Sequence, residues 1–291
     1  MPTRQAATKV MEITLAHSPD SDDAFMFYAL ATRKVRTPGM RFTHVLADIE
    51  TLNQAAPEEL YDVTALSFPA YAFLRDKYVL LDCGASFGEG YGPILVASHP
   101  MKREELAGRR VAVPGLRTTA YLALKLLEPR FEPVPMAFDQ ILDAVRNETV
   151  EAGLLIHEGQ LLFSQAGLHR VVDLGHWWLE QTGLPLPLGG NAVRRALGME
   201  TGRQIARAIR ESVDYALGHR EAALNYAMQF ARDMDIELAD KFVGMYVNSW
   251  TLGYGERGRR AVGELLARGA QAGLLPRAEV GAPLEFLSAE E

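Results

Sequence analysis

The stretch from Glu151 to Gln160 reads EAGLLIHEGQ. Its apolar run, Gly153 to Ile156, is too short for an independent helix, and its small and branched side chains suit a buried strand. A strand here delivers His157 and Glu158 at its carboxyl end. In open α/β sheets that end is where ligands sit. Imidazole is the side chain whose unperturbed pKa lies nearest neutrality, so it can take or give a proton. Neighbouring strand residues point to opposite faces, so Glu158 need not meet a ligand that His157 meets. A hydrogen-bonded structural histidine is the plainer reading of this motif alone, and the rest of the chain decides between them.

Working outward, the run is fed by a helix over 139–146, with Ile141, Leu142 and Val145 apolar. Before that, Arg110–Val113 reads as a strand, Pro114–Arg117 as a loop and Thr118–Leu127 as a helix with Ala120, Leu124 and Leu127 on one stripe. A similar unit opens the chain. A strand over 12–17 is followed by the turn-rich Ser18-Pro19-Asp20-Ser21-Asp22-Asp23 and a helix over 24–31 that Asp22 or Asp23 can cap. Strands are expected at 41–46, 62–67, 78–83, 94–98 and 171–174, with helices beginning at 48 and spanning 68–76. Gly84–Gly92 and Gly183–Gly190 read as loops. After about residue 192 the pattern turns helical, at 201–217, 221–233, 237–250 and 256–272. Strand–helix alternation means an α/β protein. One α/β unit, then a second, then helices with no new sheet make two lobes: 1–92 with 193–291, and an inserted lobe at 93–192. Two crossovers between lobes give a hinge and a ligand cleft.

Composition narrows the function. The chain has 291 residues, 48% hydrophobic and 23% charged, as expected of a globular protein. A net charge of −7 argues against a nucleic-acid or anionic-membrane surface. A single cysteine, Cys83, excludes an internal disulfide and a cysteine metal cluster. The N-terminal segment carries basic residues but no apolar core or cleavage site, and no stretch approaches a membrane span, so a cytoplasmic location is expected.

Several groups could bind or react. Arg117-Thr118-Thr119 begins a helix after a Gly115 turn, where hydroxyls and free N–H groups suit a carboxylate or phosphate; helix capping by Thr118 is the competing reading. Ser67 ends a strand and can hydrogen-bond a ligand. Ser18, Asp20, Asp22 and Asp23 offer oxygens for a hard cation, but turn formation and capping account for them better. Phosphate-loop, dinucleotide-binding and serine-hydrolase motifs are absent. No spacing calls for a metal or an organic cofactor. The expected partner is a small molecule bearing a carboxylate or a phosphate.

Taken together, HSPDSDDAFMFYAL (17–30), DIETLN (48–53), LSFPAYAFLRDKYV (66–79), RVAVPGLRTTAY (110–121), EAGLLIHE (151–158), VVDLGHWW (171–178), TGLPLPLG (182–189) and YVN (246–248) resemble the 1,4-dihydroxy-6-naphthoate synthase family of the futalosine route to menaquinone. The resemblance implies the two-lobed fold of type II periplasmic binding proteins, used as a cytoplasmic lyase. It implies cyclic dehypoxanthinyl futalosine as substrate, with 1,4-dihydroxy-6-naphthoate and dihydroxyacetone as products. By the same resemblance His157 is the base, Thr118 and Thr119 hold the carboxylate, and Ser67, Ser18 and Asn248 line the pocket. The first loop departs from the family's frequent S-P-C-P-N-D-T, with Asp22 for Asn and Ala24 for Thr, which puts an extra carboxylate near an anionic substrate. Two other readings share the fold: a non-catalytic small-carboxylate-binding protein, and chorismate dehydratase.

Overall fold

The computed structural model describes residues 10–232, 234–277 and 283–289. Residues 1–9, part of the N-terminal segment 1–11 that reads as a loose leader, and Asp233, the expected end of one helix, lie outside the described residues.

The chain opens with β1 (Met11–His17), α1 (Ser21–Met26), α2 (Tyr28–Ala31), β2 (Met40–Leu46), α3 (Ile49–Ala55), β3 (Val63–Ser67), α4 (Phe68–Tyr71), β4 (Tyr78–Leu81) and β5 (Ser86–Gly88). The second unit holds β6 (Ile94–Ala97), β7 (Arg110–Val113), α5 (Thr119–Leu127), β8 (Glu132–Pro135), α6 (Phe138–Arg146), β9 (Ala152–Leu155), α7 (Gly159–Leu162), β10 (His169–Asp173) and α8 (Leu174–Thr182). The chain then returns through β11 (Leu186–Arg194), α9 (Met199–Gly218), α10 (Arg220–Ala227), α11 (Ile236–Tyr246), α12 (Ser249–Leu252), α13 (Gly255–Gln271) and β12 (Phe286–Leu287).

Two sheets result. One is ordered β12-β4-β11-β3-β1-β2, with β5 also on β11; the other is β10-β6-β9-β7-β8. In the first, β1 runs parallel to β2 and β3, while β11 is antiparallel to β3 and β4. In the second, β7 lies parallel to both β8 and β9, and β6 runs antiparallel to β9. The second sheet draws its strands from 94–173, and β11 is already back in the first sheet from Leu186. Carboxyl ends of parallel strands therefore supply Ser18 after β1, Ser67 on β3, Thr118 after β7 and His157 after β9.

Several expectations are corrected. The helix expected at 24–31 is two pieces broken at Phe27, with Asp20 at its start making no capping bond. Phe68–Asp76 shortens to one turn, α4. The supposed loops at 84–92 and 183–190 contain β5 and most of the first half of β11. The edge strand β8 was unforeseen because Pro133 and Pro135 read as breakers; an edge strand tolerates them. The described chain also adds the two-residue β12 after its helices.

Packing ties the site-bearing strands down. One apolar cluster runs through both sheets, joining Leu66, Phe68 and Tyr254 to Val111, Leu154 and Trp178. On the outer face of the second sheet, α6 packs directly on β9. A Cβ on Gly153 would lie 2.5 Å from Val145 and 2.6 Å from Ile141. Only glycine lets the helix lie that close to the strand that carries His157.

Candidate active site

β9 ends at Leu155, and two residues later the chain turns sharply into α7. His157 makes that turn in the left-handed region, with φ +51°. For a non-glycine residue this conformation costs about 1–2 kcal/mol, and such strain persists only where the surroundings enforce it. Here Gln160 N–H donates to the His157 carbonyl at 3.2 Å, and the Phe138 ring meets the imidazole edge-on at 4.8 Å.

The imidazole reaches across to the first sheet. Its Nδ1 lies 2.9 Å from Asp20 Oδ2, with both side chains largely buried. A carboxylate only accepts, so Nδ1 carries the proton and the Nε2 of a neutral ring is a free lone pair. That Nε2 is buried with no protein partner. Burial works against a charged imidazole, but the Asp20 carboxylate outweighs it and raises the His157 pKa above its ordinary value. Burial likewise opposes ionised Asp20, and the His157 charge and hydrogen bond bring its pKa down. The other two carboxyls behave oppositely. Burial, then the charges of Asp20 and Asp23, push Asp22 well up. Burial and Asp20 raise Asp23 to about 8. The loop therefore keeps Asp20 as the carboxylate beside His157, while Asp22 and Asp23 hold their protons to higher pH than ordinary carboxyls do. Asp22, one of the departures from the family pattern, therefore gives up its proton less readily than an ordinary carboxyl.

A cavity of about 120 Å³ brings the predicted residues together: Ser18, Ser67, Thr118, Thr119 and His157 all line it, with Asp20, Asp22, Gln160, Asn191 and Tyr246. Asn248 is not among the lining residues. It caps α12, accepting from Trp250 N–H at 3.0 Å and donating to the Met245 carbonyl at 2.9 Å. Asp20 was read from the sequence as a turn residue; its pairing with His157 depends on two sheets meeting and leaves no local signal.

Hydrogen-bond directions decide what each hydroxyl can offer. Thr118 donates to the Gly115 carbonyl at 2.9 Å and accepts from Tyr121 N–H at 3.2 Å, so the capping reading holds. Thr119 donates to the Leu188 carbonyl at 2.5 Å. Both threonine protons are spent. The backbone N–H groups of Thr119 and Ala120, in the first turn of α5, have no partner among the described residues. Both residues line the cavity, at the positive end of a nine-residue helix. At the end of β3, the buried Asn53 grips Ser67 twice. Ser67 N–H donates to Asn53 Oδ1 at 2.9 Å, and Asn53 Nδ2 donates to Ser67 Oγ at 3.1 Å. The Ser67 hydroxyl proton is left without an acceptor among the described residues. At the end of β1, burial and then His44 lower His17 to a pKa of about 4. Its Nδ1 donates to the Ser18 carbonyl at 3.0 Å, so its Nε2 accepts from His44 Nδ1 at 2.9 Å. Ser18 N–H in turn donates to Asp23 Oδ2 at 2.8 Å.

Polar contacts bridge the two sheets' elements around the cavity. Besides Asp20–His157, Tyr246 donates to Gln160 Oε1 at 2.6 Å. Arg117 donates from its backbone N to Glu50 Oε2 and from its guanidinium to the Asn53 carbonyl, each at 3.2 Å. One group among the described residues offers metal-ligand atoms close together: Asp20, Asp22 and His157, within 4.8 Å of one another. Asp20 and His157 of this group are already paired with each other.

Mixed sheets, two crossovers and a polar cavity between them define a two-lobed periplasmic-binding-protein-like fold. Solved structures agree: the alkanesulfonate-binding protein SsuA of Xanthomonas axonopodis pv. citri, bound to MOPS, superposes with a TM-score of 0.73 at 12% identity, covering 98% of this chain and 100% of that one. An Archaeoglobus fulgidus protein of known crystal structure is nearer, with a TM-score of 0.87 and 49% identity over 91% of this chain and 98% of that one. The sequence matches the menaquinone-biosynthesis family over residues 13–271. Relatives named 1,4-dihydroxy-6-naphtoate synthase are 46% identical in Thermus thermophilus, over 90% of this chain and 95% of that protein, and 39% identical in Streptomyces coelicolor, over 91% and 95%. The chain belongs to the menaquinone-biosynthesis family and is one of its enzymes. No helix among the described residues is long and apolar enough to cross a membrane.

Proposed function

We propose that this enzyme is the lyase that converts cyclic dehypoxanthinyl futalosine to 1,4-dihydroxy-6-naphthoate and dihydroxyacetone, with His157 as general base. The observation that carries the reading is an imidazole whose Nδ1 is fixed by Asp20 and whose Nε2 lone pair has no protein partner. It lines the same cavity as a set of unspent donors. The substrate's carboxylate is held by the Thr119 and Ala120 N–H groups and the Ser67 hydroxyl rather than by threonine protons. Each hydrogen bond to an ionised acceptor contributes roughly 1.5–3 kcal/mol. Anchoring the carboxylate there presents the rest of the molecule to His157, which removes the proton that starts carbon–carbon cleavage. Asp20 holds the tautomer and stabilises the imidazolium as it forms. Such general-base help supplies about 10²–10⁴-fold. The contacts through Arg117, Tyr246 and Asp20 close the two lobes and exclude water from the reacting centre. We take the two sheets as the cores of those lobes, and the cytoplasm as the enzyme's location.

A ligand-binding protein would need the donor set but not the Asp20–His157 pair, so the pair favours catalysis. Incubation of the purified protein with cyclic dehypoxanthinyl futalosine, and separately with chorismate, tests the reading. Release of the naphthoate from the first and no change in the second are expected. Binding of the first without naphthoate release, or dehydration of chorismate, would overturn it.

A further inference from the structure

The three hydroxyls at the cleft's strand and helix ends are not equivalent. Thr118 and Thr119 have spent their protons on backbone carbonyls. What makes Ser67 different is its neighbour. Asn53 is fully buried on α3 and faces Ser67 with both ends of its amide. The backbone N–H of Ser67 can only donate, which fixes Asn53 Oδ1 as its acceptor and so fixes which end is the NH₂ group. That NH₂ then occupies one of the two lone pairs of Ser67 Oγ. With that direction taken, the hydroxyl proton cannot point back at the amide, no acceptor for it stands among the described residues, and Ser67 lines the cavity. The backbone carbonyl of the same Asn53 receives the Arg117 guanidinium from the loop ahead of α5. One residue thus touches both the Ser67 hydroxyl and the segment that leads into the α5 donors.

We infer that Asn53 is a positioning residue: it keeps the Ser67 hydroxyl proton from turning back into the protein, so that the hydroxyl is free to donate to an oxygen anion in the cleft. The inference deepens the reading above, since it concerns how the proposed carboxylate pocket is made selective. Asn53 does not touch the ligand. It acts through Ser67 by closing off the orientation in which the hydroxyl would donate to residue 53. Its charged neighbours are Glu50, whose Oε2 lies 3.5 Å from Nδ2, and Arg117.

A double-mutant cycle on the full chain tests it, with 1,4-dihydroxy-6-naphthoate and plain 2-naphthoate as calorimetric probes. Asn53→Ala and Ser67→Ala are each expected to weaken binding roughly ten-fold. In the Ser67→Ala background, Asn53→Ala should cost almost nothing more, because its effect passes through the missing hydroxyl. Equal losses in both backgrounds would mark a merely structural role and overturn the inference. Asn53→Asp, close to isosteric, supplies a second readout should the alanine variant fold poorly. While its carboxyl is protonated it can donate to Ser67 as the amide does. Once ionised, both oxygens accept, and the Ser67 proton turns back toward it. Affinity of this variant should therefore fall more steeply with rising pH than that of the unaltered protein, in which His157 also titrates, and Asn53→Asp/Ser67→Ala should fall no more steeply than Ser67→Ala. A fall in Asn53→Asp no steeper than in the unaltered protein, or no carboxylate binding by the unaltered protein, would sink the inference. The cycle with 2-naphthoate does not require turnover, so it can succeed where the proposed lyase reaction fails, and the reverse.

Discussion

Replacing Asp20 with Asn probes the imidazole's partner with little change of shape. The amide oxygen can still accept from His157 Nδ1–H, so the 2.9 Å contact can persist, but the charge is gone. Only 16% of the His157 side chain and 8% of that of Asp20 are exposed, so solvent screens the pair weakly. A hydrogen bond to a charged partner contributes about 1.5–3 kcal/mol, and each 1.36 kcal/mol or so is a factor of ten. The maximal rate is therefore expected to fall roughly 10- to 150-fold. The pH profile must shift as well. The competent form is the neutral imidazole, and Asp20 raises its pKa. The rate of the unaltered enzyme thus climbs through a pKa above the ordinary histidine value, and in Asp20→Asn that climb moves to lower pH. Naphthoate release, followed by chromatography across the neutral range, reports both quantities. A variant whose rate and acidic limb both match the unaltered enzyme would show that Asp20 does not support the base.

Other expectations follow from the packing and the loop. Gly153→Ala drives a methyl into Val145 and Ile141, so unfolding free energy should drop by about 1–3 kcal/mol; urea denaturation measures it, and an unchanged midpoint would contradict the close approach of α6 to β9. Asp22→Asn should stabilise the protein at neutral and alkaline pH. Burial and its acidic neighbours raise the Asp22 pKa, so the folded state keeps a proton that the unfolded chain has released, and stability falls as pH rises above the ordinary carboxylate value. The amide has no such proton, so melts at two pH values should show a gain that vanishes in acid; a gain confined to acid would refute the assigned protonation.

Much of this arrangement was legible before any coordinates. The apolar run before His157 is a strand of the second sheet, and Thr118 starts a helix after a strand, because local periodicity and capping chemistry act over a few residues. The strands that escaped notice have equally local reasons. β11 carries Pro187, Gly189 and Gly190, which read as a turn, yet it pairs along β3 and β4 because tertiary pairing overrides propensity. Directions of hydrogen bonds were out of reach. The sequence offers the Thr118 and Thr119 hydroxyls together with the nearby backbone N–H groups; the fold spends both hydroxyl protons on backbone carbonyls and leaves the Thr119 and Ala120 N–H groups without a partner among the described residues. Asn53 sat in DIETLN with nothing to mark it, since its role depends on β3 lying beside α3. The Asp20–His157 pair joins residues far apart in the chain and exists only once the two lobes meet.

Substituting His157 by Asn while following both ligand binding and turnover tests the central claim most directly. Asparagine accepts the left-handed backbone at this position, so the fold should survive, with melting no lower than that of the unaltered enzyme. The account expects cyclic dehypoxanthinyl futalosine to bind with similar affinity and no naphthoate to appear. Naphthoate formation at the normal rate would contradict the assignment of the proton-transfer step to this imidazole.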